Sequence, residues 1–218
     1  MEPLTLTTGR LVLSPFTPAD TDAVHAACQD PAIQRWLPLP HPYRREDAET
    51  FTGRIGPAGW REDTEYTFAV RLADGGHLAG AISARVRRPG VYEVGYWAAR
   101  EHRGRGLVTE ALGAVARWAF RELGCVRMEW RAEVGNTASR AVAEKAGFRY
   151  EGTERAGLDH NGTLRDGWVA ALLPADLGLP CPRPYLPAAG GRADGGDNGD
   201  GVAGGRLGDG DGVVSGRV

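Results

Sequence analysis

The sequence has no long apolar run, little cysteine and almost no net charge, and each lack removes a class of function. No stretch approaches the roughly 20 apolar residues that a membrane-spanning helix needs. The first residues, Met1-Glu2-Pro3-Leu4-Thr5, carry neither the basic nor the apolar segment of a secretory signal. A formal charge of −2 over 218 residues offers no basic surface for nucleic acid or an anionic membrane. The 3 cysteines, Cys28, Cys125 and Cys181, are widely spaced and in no Cys-x-x-Cys arrangement. They suit neither a disulfide framework nor a zinc site and fit a reducing, cytoplasmic setting. His25, His41, His77 and His160 form no spaced cluster, so no metal is expected.

Large apolar residues also run out near Pro174. From Pro180 the chain reads Pro-Cys-Pro-Arg-Pro-Tyr-Leu-Pro and then almost only Gly, Asp, Ala, Arg and Val. Such a segment cannot offset the entropy of ordering itself, so residues 177–218 are expected to be a disordered tail. Gly195-Gly196-Asp197-Asn198-Gly199-Asp200-Gly201 lacks the in-register apolar positions of a calcium-binding β-roll. Residues 1–176 are long enough for one domain with a sizeable core.

What is present points to a mixed α/β sheet. Arg10–Phe16 reads as a first strand, and Thr17-Pro18 as a helix start running to about Cys28. A second helical piece begins at Asp30-Pro31, and Arg44–Arg54 is predicted helical. Strands are expected over Thr64–Leu72, His77–Val86, Val91–Trp97, Cys125–Val134, Phe148–Thr153 and Arg165–Leu173. Between them, Leu107–Leu123 and Asn136–Ala146 carry helical spacing and stop at Gly124 and Gly147.

The stretch that orders the rest is His102-Arg103-Gly104-Arg105-Gly106-Leu107-Val108-Thr109-Glu110, between a strand and a helix. Its glycines let the backbone turn sharply and approach a ligand without a Cβ in the way. The free N–H groups of the new helix converge there, with the positive end of its dipole, and Arg103 and Arg105 add charge. This is an anion cradle suited to phosphate or pyrophosphate. A dinucleotide-binding Rossmann unit would need a third glycine, which Leu107-Val108-Thr109 does not supply. A second constellation follows the next strand: Asn136 can cap a helix on which Ser139 occupies the same face.

Together these residues resemble the GNAT superfamily of N-acetyltransferases over residues 8 to 174, closest to the branch of ribosomal-protein N-terminal (alanine/serine) acetyltransferases. The acetyl-CoA signature Gln/Arg-x-x-Gly-x-Gly/Ala maps onto Arg103-Gly104-Arg105-Gly106-Leu107-Val108, with Val108 departing from the pattern at the last position. Glu93-Val94-Gly95-Tyr96-Trp97, Thr109-Glu110-Ala111-Leu112, Asn136-x-x-Ser139, Glu144-Lys145-Ala146-Gly147-Phe148, Glu151-Gly152 and Arg165-Asp166 extend the similarity. The resemblance implies a mostly antiparallel sheet flanked by helices and splayed between its fourth and fifth strands. It also implies acetyl-CoA as co-substrate, lying in that splay, with Tyr96, Trp97, Ala98, residues Arg103 to Thr109, Asn136, Ser139 and Lys145 as its contacts.

The implied reaction is direct attack of a primary amine on the thioester carbonyl, with a strand amide near Glu93–Ala99 as oxyanion donor. Many members place a tyrosine before Glu-Lys-x-Gly-Phe to protonate the leaving thiolate; Ala143 stands there, so Ser139, with Asn136 beside it, becomes the candidate donor. The attacking amine must be neutral, which calls for a base. Glu93 is the first candidate and Glu133 the second. Acceptor specificity is expected from about Trp36–Trp60 and from a loop at Leu158–Leu164. The acceptor is a protein N-terminal α-amine or a small amine such as an antibiotic, polyamine or amino-acid-like compound. A non-catalytic acyl-CoA-binding module is the other functional class, and the protein is expected to be a monomer or homodimer.

Overall fold

Apolar alternation in the strands and a single apolar stripe on each long helix build one sheet with helices on both faces. The structure, a computed structural model, describes residues 1–188. In chain order the strands are β1 (Leu6–Thr7), β2 (Leu11–Pro15), β3 (Glu65–Leu72), β4 (Leu78–Arg88), β5 (Val91–Ala98), β6 (Arg127–Glu133), β7 (Arg149–His160) and β8 (Thr163–Leu172). The helices are α1 (Thr21–Cys28), α2 (Pro31–Trp36), α3 (Arg45–Thr50), α4 (Gly56–Arg61), α5 (Leu107–Glu122) and α6 (Thr137–Lys145). The 8-stranded sheet runs β1-β2-β3-β4-β5-β6-β8-β7. Every neighbouring pair is antiparallel except β5 and β6, which are parallel and are joined through α5.

Pleating separates the two faces. Phe68, Ile82 and Tyr96 lie across from one another on one face, followed by Val94 and Trp130. Against it, α5 buries Leu107, Ala111, Leu112, Val115, Trp118 and Ala119, spaced by three and four residues so that they form one stripe. Trp118 meets Tyr66 and Phe68 edge-on at 5.3 and 5.5 Å, and Trp60 of α4 joins them at 5.1 and 5.0 Å. Each such pair adds roughly 0.5–1.5 kcal/mol beyond burial alone. On the other face Trp97 packs beside Val24, Cys28, Tyr43 and Phe51 from the α1–α3 region. Farther along that face, Glu65, Arg85, Glu93 and Glu129 form a charged row across four strands.

Several boundaries differ from expectation for local reasons. The helix foreseen to end at Arg54 continues through a π-helical turn, Phe51–Ile55, into α4, because Pro57 sits in the first turn of α4, where its missing N–H costs nothing. The loop foreseen at Leu158–Leu164 is instead the tip of the β7–β8 hairpin. Asn161 and Gly162 take φ of 51° and 78°, a two-residue turn that pairs His160 with Thr163. Past the foreseen domain boundary, Leu177 and Leu179 still pack on the core, and Arg117 donates to the Leu177 carbonyl at 3.3 Å. The Gly/Asp-rich part of the expected tail, from residue 189, lies outside the described residues.

Candidate active site

The site begins where β5 and β6 part. Their pairing runs only from Val91↔Arg127 to Val94↔Trp130. Beyond it, β5 stays with β4 to Ala98↔Gly80, while β6 stays with β8 to Glu133↔Gly167. The facing backbone edges of residues 95–98 and 131–133 are therefore left without a strand partner, and a V-shaped opening forms within the sheet. Gly80 keeps β4 tight against β5 at the mouth: a Cβ there would lie 2.1 Å from the Trp97 carbonyl oxygen.

The glycine turn closes one end of this opening. Gly104 and Gly106 adopt φ of 69° and 72°, a region that strains residues bearing a Cβ. Gly106 is the N-cap of α5 and no side chain caps the helix; the first amide to return to the backbone is that of Glu110, onto the Gly106 carbonyl at 3.1 Å. Free amides thus face a cleft of about 230 Å³ lined by His102, Gly104, Gly106, Val108, Thr109 and Lys145, with Ala98 and α6 opposite. Val108, the departure from the signature, is accommodated by resting half-buried on the core.

A brace invisible in the local sequence holds the turn. Arg10 donates to the Arg105 carbonyl at 3.0 Å and, through Nε, to Glu110 Oε2 at 2.6 Å; Thr8 donates to Glu110 Oε1 at 2.5 Å. Partial burial opposes ionisation of Glu110, but these bonds outweigh it and hold its carboxyl below the usual range. Arg103 lines the cleft and leaves Nη2 buried without a partner, while the rest of its guanidinium is held by the protein. Its Nε donates to the Ala98 carbonyl at 3.2 Å and its Nη1 lies 3.3 Å from Asp30 Oδ2, with both side chains about one-tenth exposed. Arg103 ties the turn to α2, and Arg105, hydrogen-bonded to His102 Nδ1 at 3.1 Å, stays exposed at the rim.

Asn136 and Ser139 come together beneath the splay. Asn136 Oδ1 accepts from the Ser139 amide at 3.2 Å, the capping bond foreseen for it. Its Nδ2 is buried without a partner. Ser139 is fully buried; its Oγ accepts from Trp130 Nε1 at 3.0 Å and faces Tyr96 Oη at a long 3.4 Å. Tyr96 Oη donates instead to the Ser139 carbonyl at 2.9 Å, and burial raises its pKa, keeping it neutral. The side chains of Tyr96 and Trp97 are thus spent in the core, which leaves their backbone to meet a ligand. Ala143, at the position where a tyrosine is common, is 1% exposed among core residues.

Opposite this cleft, on the other face of the sheet, lies a cavity of about 380 Å³ lined by Trp36, Arg87, Glu93, Arg131, Glu133 and His160, among others. Arg35 grips Glu133 with two bonds, 3.0 and 2.7 Å, which hold that carboxyl below the usual range and make it a weak base. Glu93 is held more loosely, 3.5 Å from Arg87 Nε and 3.9 Å from Arg131 Nε. The hairpin tip 156–160 and Leu164 form one wall of this cavity. Sequence reading missed Arg10, Thr8, Arg35 and Trp130, because each acts across more than a turn of helix or an adjacent strand.

Among the described residues no cluster of His, Cys, Asp or Glu could hold a metal, and no helix is long and apolar enough to cross a membrane. The sheet thus opens at its one parallel pair, with uncapped helix amides on one side and a charged cavity on the other. Residues 10–149 match the family model described as the acetyltransferase (GNAT) domain. YdaF of Bacillus subtilis (strain 168), whose name describes a ribosomal N-acetyltransferase, is 40% identical over 133 residues, covering 58% of this chain and 70% of YdaF. YjcK of the same organism, named as an N-acetyltransferase, is 36% identical over 118 residues, covering 53% of this chain and 65% of YjcK, just under two thirds of its length. A solved structure of the ribosomal L7/L12 α-N-protein acetyltransferase RimL with coenzyme A superposes with a TM-score of 0.70 at 20% identity, over 78% of this chain and 98% of RimL. The chain belongs to the GNAT acetyltransferase family.

Proposed function

We propose that the protein transfers the acetyl group of acetyl-CoA directly to a primary amine, and that the amine is the N-terminal α-amine of a protein or peptide. The observation that carries this reading is the opening between β5 and β6. Uncapped α5 amides lie on one face of it and a carboxylate-bearing cavity on the other. Pyrophosphate fits the glycine turn, and the pantetheine arm would lie along the unpaired edge of residues 95–98, whose N–H groups are available to the thioester carbonyl oxygen. Structural likeness to a CoA-bound relative and sequence likeness to N-acetyltransferases support it.

In this reading the amine nitrogen bonds to the carbonyl carbon, its proton passes to Glu93 directly or through water, and the C–S bond breaks. Glu93 is preferred over Glu133 because Arg35 holds the latter in its ionised form. The departing thiolate needs a donor. Trp130 fixes the Ser139 oxygen as an acceptor, so the hydroxyl proton is free to point elsewhere, and its protein partner Tyr96 Oη is too distant for a strong bond. Asn136 Nδ2 is a second unspent donor. Both are buried donors, so for either to serve the sulfur must reach it past the open strand edge. An α-amine, with a reference pKa of about 7.7–8.0, deprotonates far more readily near neutrality than lysine at about 10.4, which favours the N-terminal acceptor.

The test is thiol release from acetyl-CoA against a panel of N-terminal peptides and small amines. Turnover restricted to peptides with a free α-amine is the expected result. Turnover of small amines alone would replace the peptide acceptor. Acetyl-CoA binding with no turnover on any acceptor would make the protein an acyl-CoA-binding module instead.

A further inference from the structure

The cavity beside Glu93 holds two arginines that the proposed transfer does not use. Arg85 and Arg87 lie on β4, each 42% exposed, and their ion pairs are long: 3.9 Å from Arg85 Nε to Glu65 and 3.5 Å from Arg87 Nε to Glu93. Elsewhere in the same charged row the arginines make short carboxylate contacts, although Arg131 Nε is buried without a hydrogen-bond partner. Arg131 pairs with Glu154 at 2.8 Å, and Arg127 with Glu129 and Glu151 at 2.9 and 2.5 Å. Val86 pairs with Tyr92 and Arg88 with Val91, so Arg87 is the extra residue of a β-bulge, a device that re-aims a side chain. Both arginines line the cavity.

Their position along the strand sets what they can reach. Arg85 lies directly across from Glu93, and the splay opens beyond Val94. An amine attacking beside Gly95–Tyr96 would therefore lie two or three residues from Arg85, roughly 7–10 Å at about 3.3 Å per residue, and farther still from Arg87. Going outward from the thioester, the cavity presents a carboxylate for the amine and then two guanidinium groups with unused donors. Guanidinium forks match carboxylates.

We propose that Arg85 and Arg87 form an anion subsite of the acceptor cavity, so that the substrate is an amine carrying a carboxylate about two residues away. The form that fits is a peptide α-amine followed by an acidic side chain at its second or third position. This inference rests on the N-acetyltransferase reading above. The test compares kcat/KM for peptides with a free N-terminus and Asp or Asn at position two, and for a free amino acid against its amide. Wild-type protein and the Arg85→Gln/Arg87→Gln double variant are assayed together. The expected result is a preference of about tenfold or more for the Asp peptide in the wild type, the scale of one charged hydrogen bond. In the double variant that preference falls toward one.

Equal rates on both peptides in the wild type, or a preference that survives in the double variant, would overturn the subsite. So would a parallel drop on both peptides with a lowered Tm, which marks a purely structural charge row. A preference confined to the free amino acid would keep the subsite and overturn the peptide source. No turnover on any amine despite acetyl-CoA binding would instead strike the transferase reading on which this one stands.

Discussion

Arg103 offers a sharp separation between charge that binds and charge that holds the fold. Its guanidinium lies 3.3 Å from Asp30 and bonds the Ala98 carbonyl, with the two side chains 9% and 11% exposed. Removing one partner of a nearly buried pair costs about 3–5 kcal/mol. The contact is long and Asp30 keeps the bond from the Ala32 amide at 2.7 Å, so Arg103→Met belongs near the low end, about 3 kcal/mol. At about 2–4 °C per kcal/mol for a domain of this size, Tm should fall by roughly 6–12 °C. Asp30→Asn keeps the helix cap and relieves the unpaired charge, so the double variant should be more stable than the two single losses sum to, by about 1–2 kcal/mol. Thermal unfolding of the four proteins closes this cycle. Additive losses, or an Arg103→Met Tm within a degree of wild type accompanied by a tenfold loss of CoA affinity, would show that Arg103 serves phosphate and not Asp30.

Other consequences are as direct. Burial pushes the Cys28 and Cys125 thiols up to about 12, so iodoacetamide at pH 8 should label the exposed Cys181 alone until the protein is unfolded, as read by peptide mass spectrometry. The Arg35 bond on Glu133 and the Arg71 bond on Asp20, the latter overcoming burial, lower both carboxyl pKa values. Their stabilisation is present above the ordinary carboxylate range of about 3.9–4.3 and is lost as pH falls through the lowered values. Tm should therefore hold from pH 7 to 5 and fall below about pH 4, and Arg35→Gln should flatten that fall. Gly80→Ala would put a methyl group 2.1 Å from the Trp97 carbonyl, so β4 and β5 must separate; a Tm loss above about 5 °C is expected, and an unchanged Tm would contradict the close approach.

Much of this was legible in the sequence where the cause is local. The α5 stripe, the Asn136 cap, the stops at Gly124 and Gly147 and the glycine turn all depend on residues within one turn of each other, and they stand as read. The loop between the last two strands narrows to Asn161-Gly162, a strong local turn signal, because the strands pair as far as His160 and Thr163. What lay beyond reach was pairing at a distance. Nothing near Arg103 announces Asp30, nothing near Glu110 announces Thr8 and Arg10, and nothing near Glu133 announces Arg35. Strand alternation alone left the face of Glu93 open; the register Arg85↔Glu93↔Glu129 puts it in the charged row away from α5. The burial of Ser139 under Trp130 likewise depends on how α6 lands on β6, which no single segment encodes.

The central claim is that uncapped α5 amides hold the pyrophosphate of acetyl-CoA. Gly106→Asp tests it most directly, because the left-handed φ of 72° strains aspartate less than most residues with a Cβ, while its side chain sets a negative charge in the cradle. Calorimetric titration with acetyl-CoA, with Tm measured alongside, should show binding by the wild type and a loss of affinity of about 100-fold or more in the variant, about 2.7 kcal/mol, with the fold intact. Affinity unchanged in a folded Gly106→Asp protein would contradict the account.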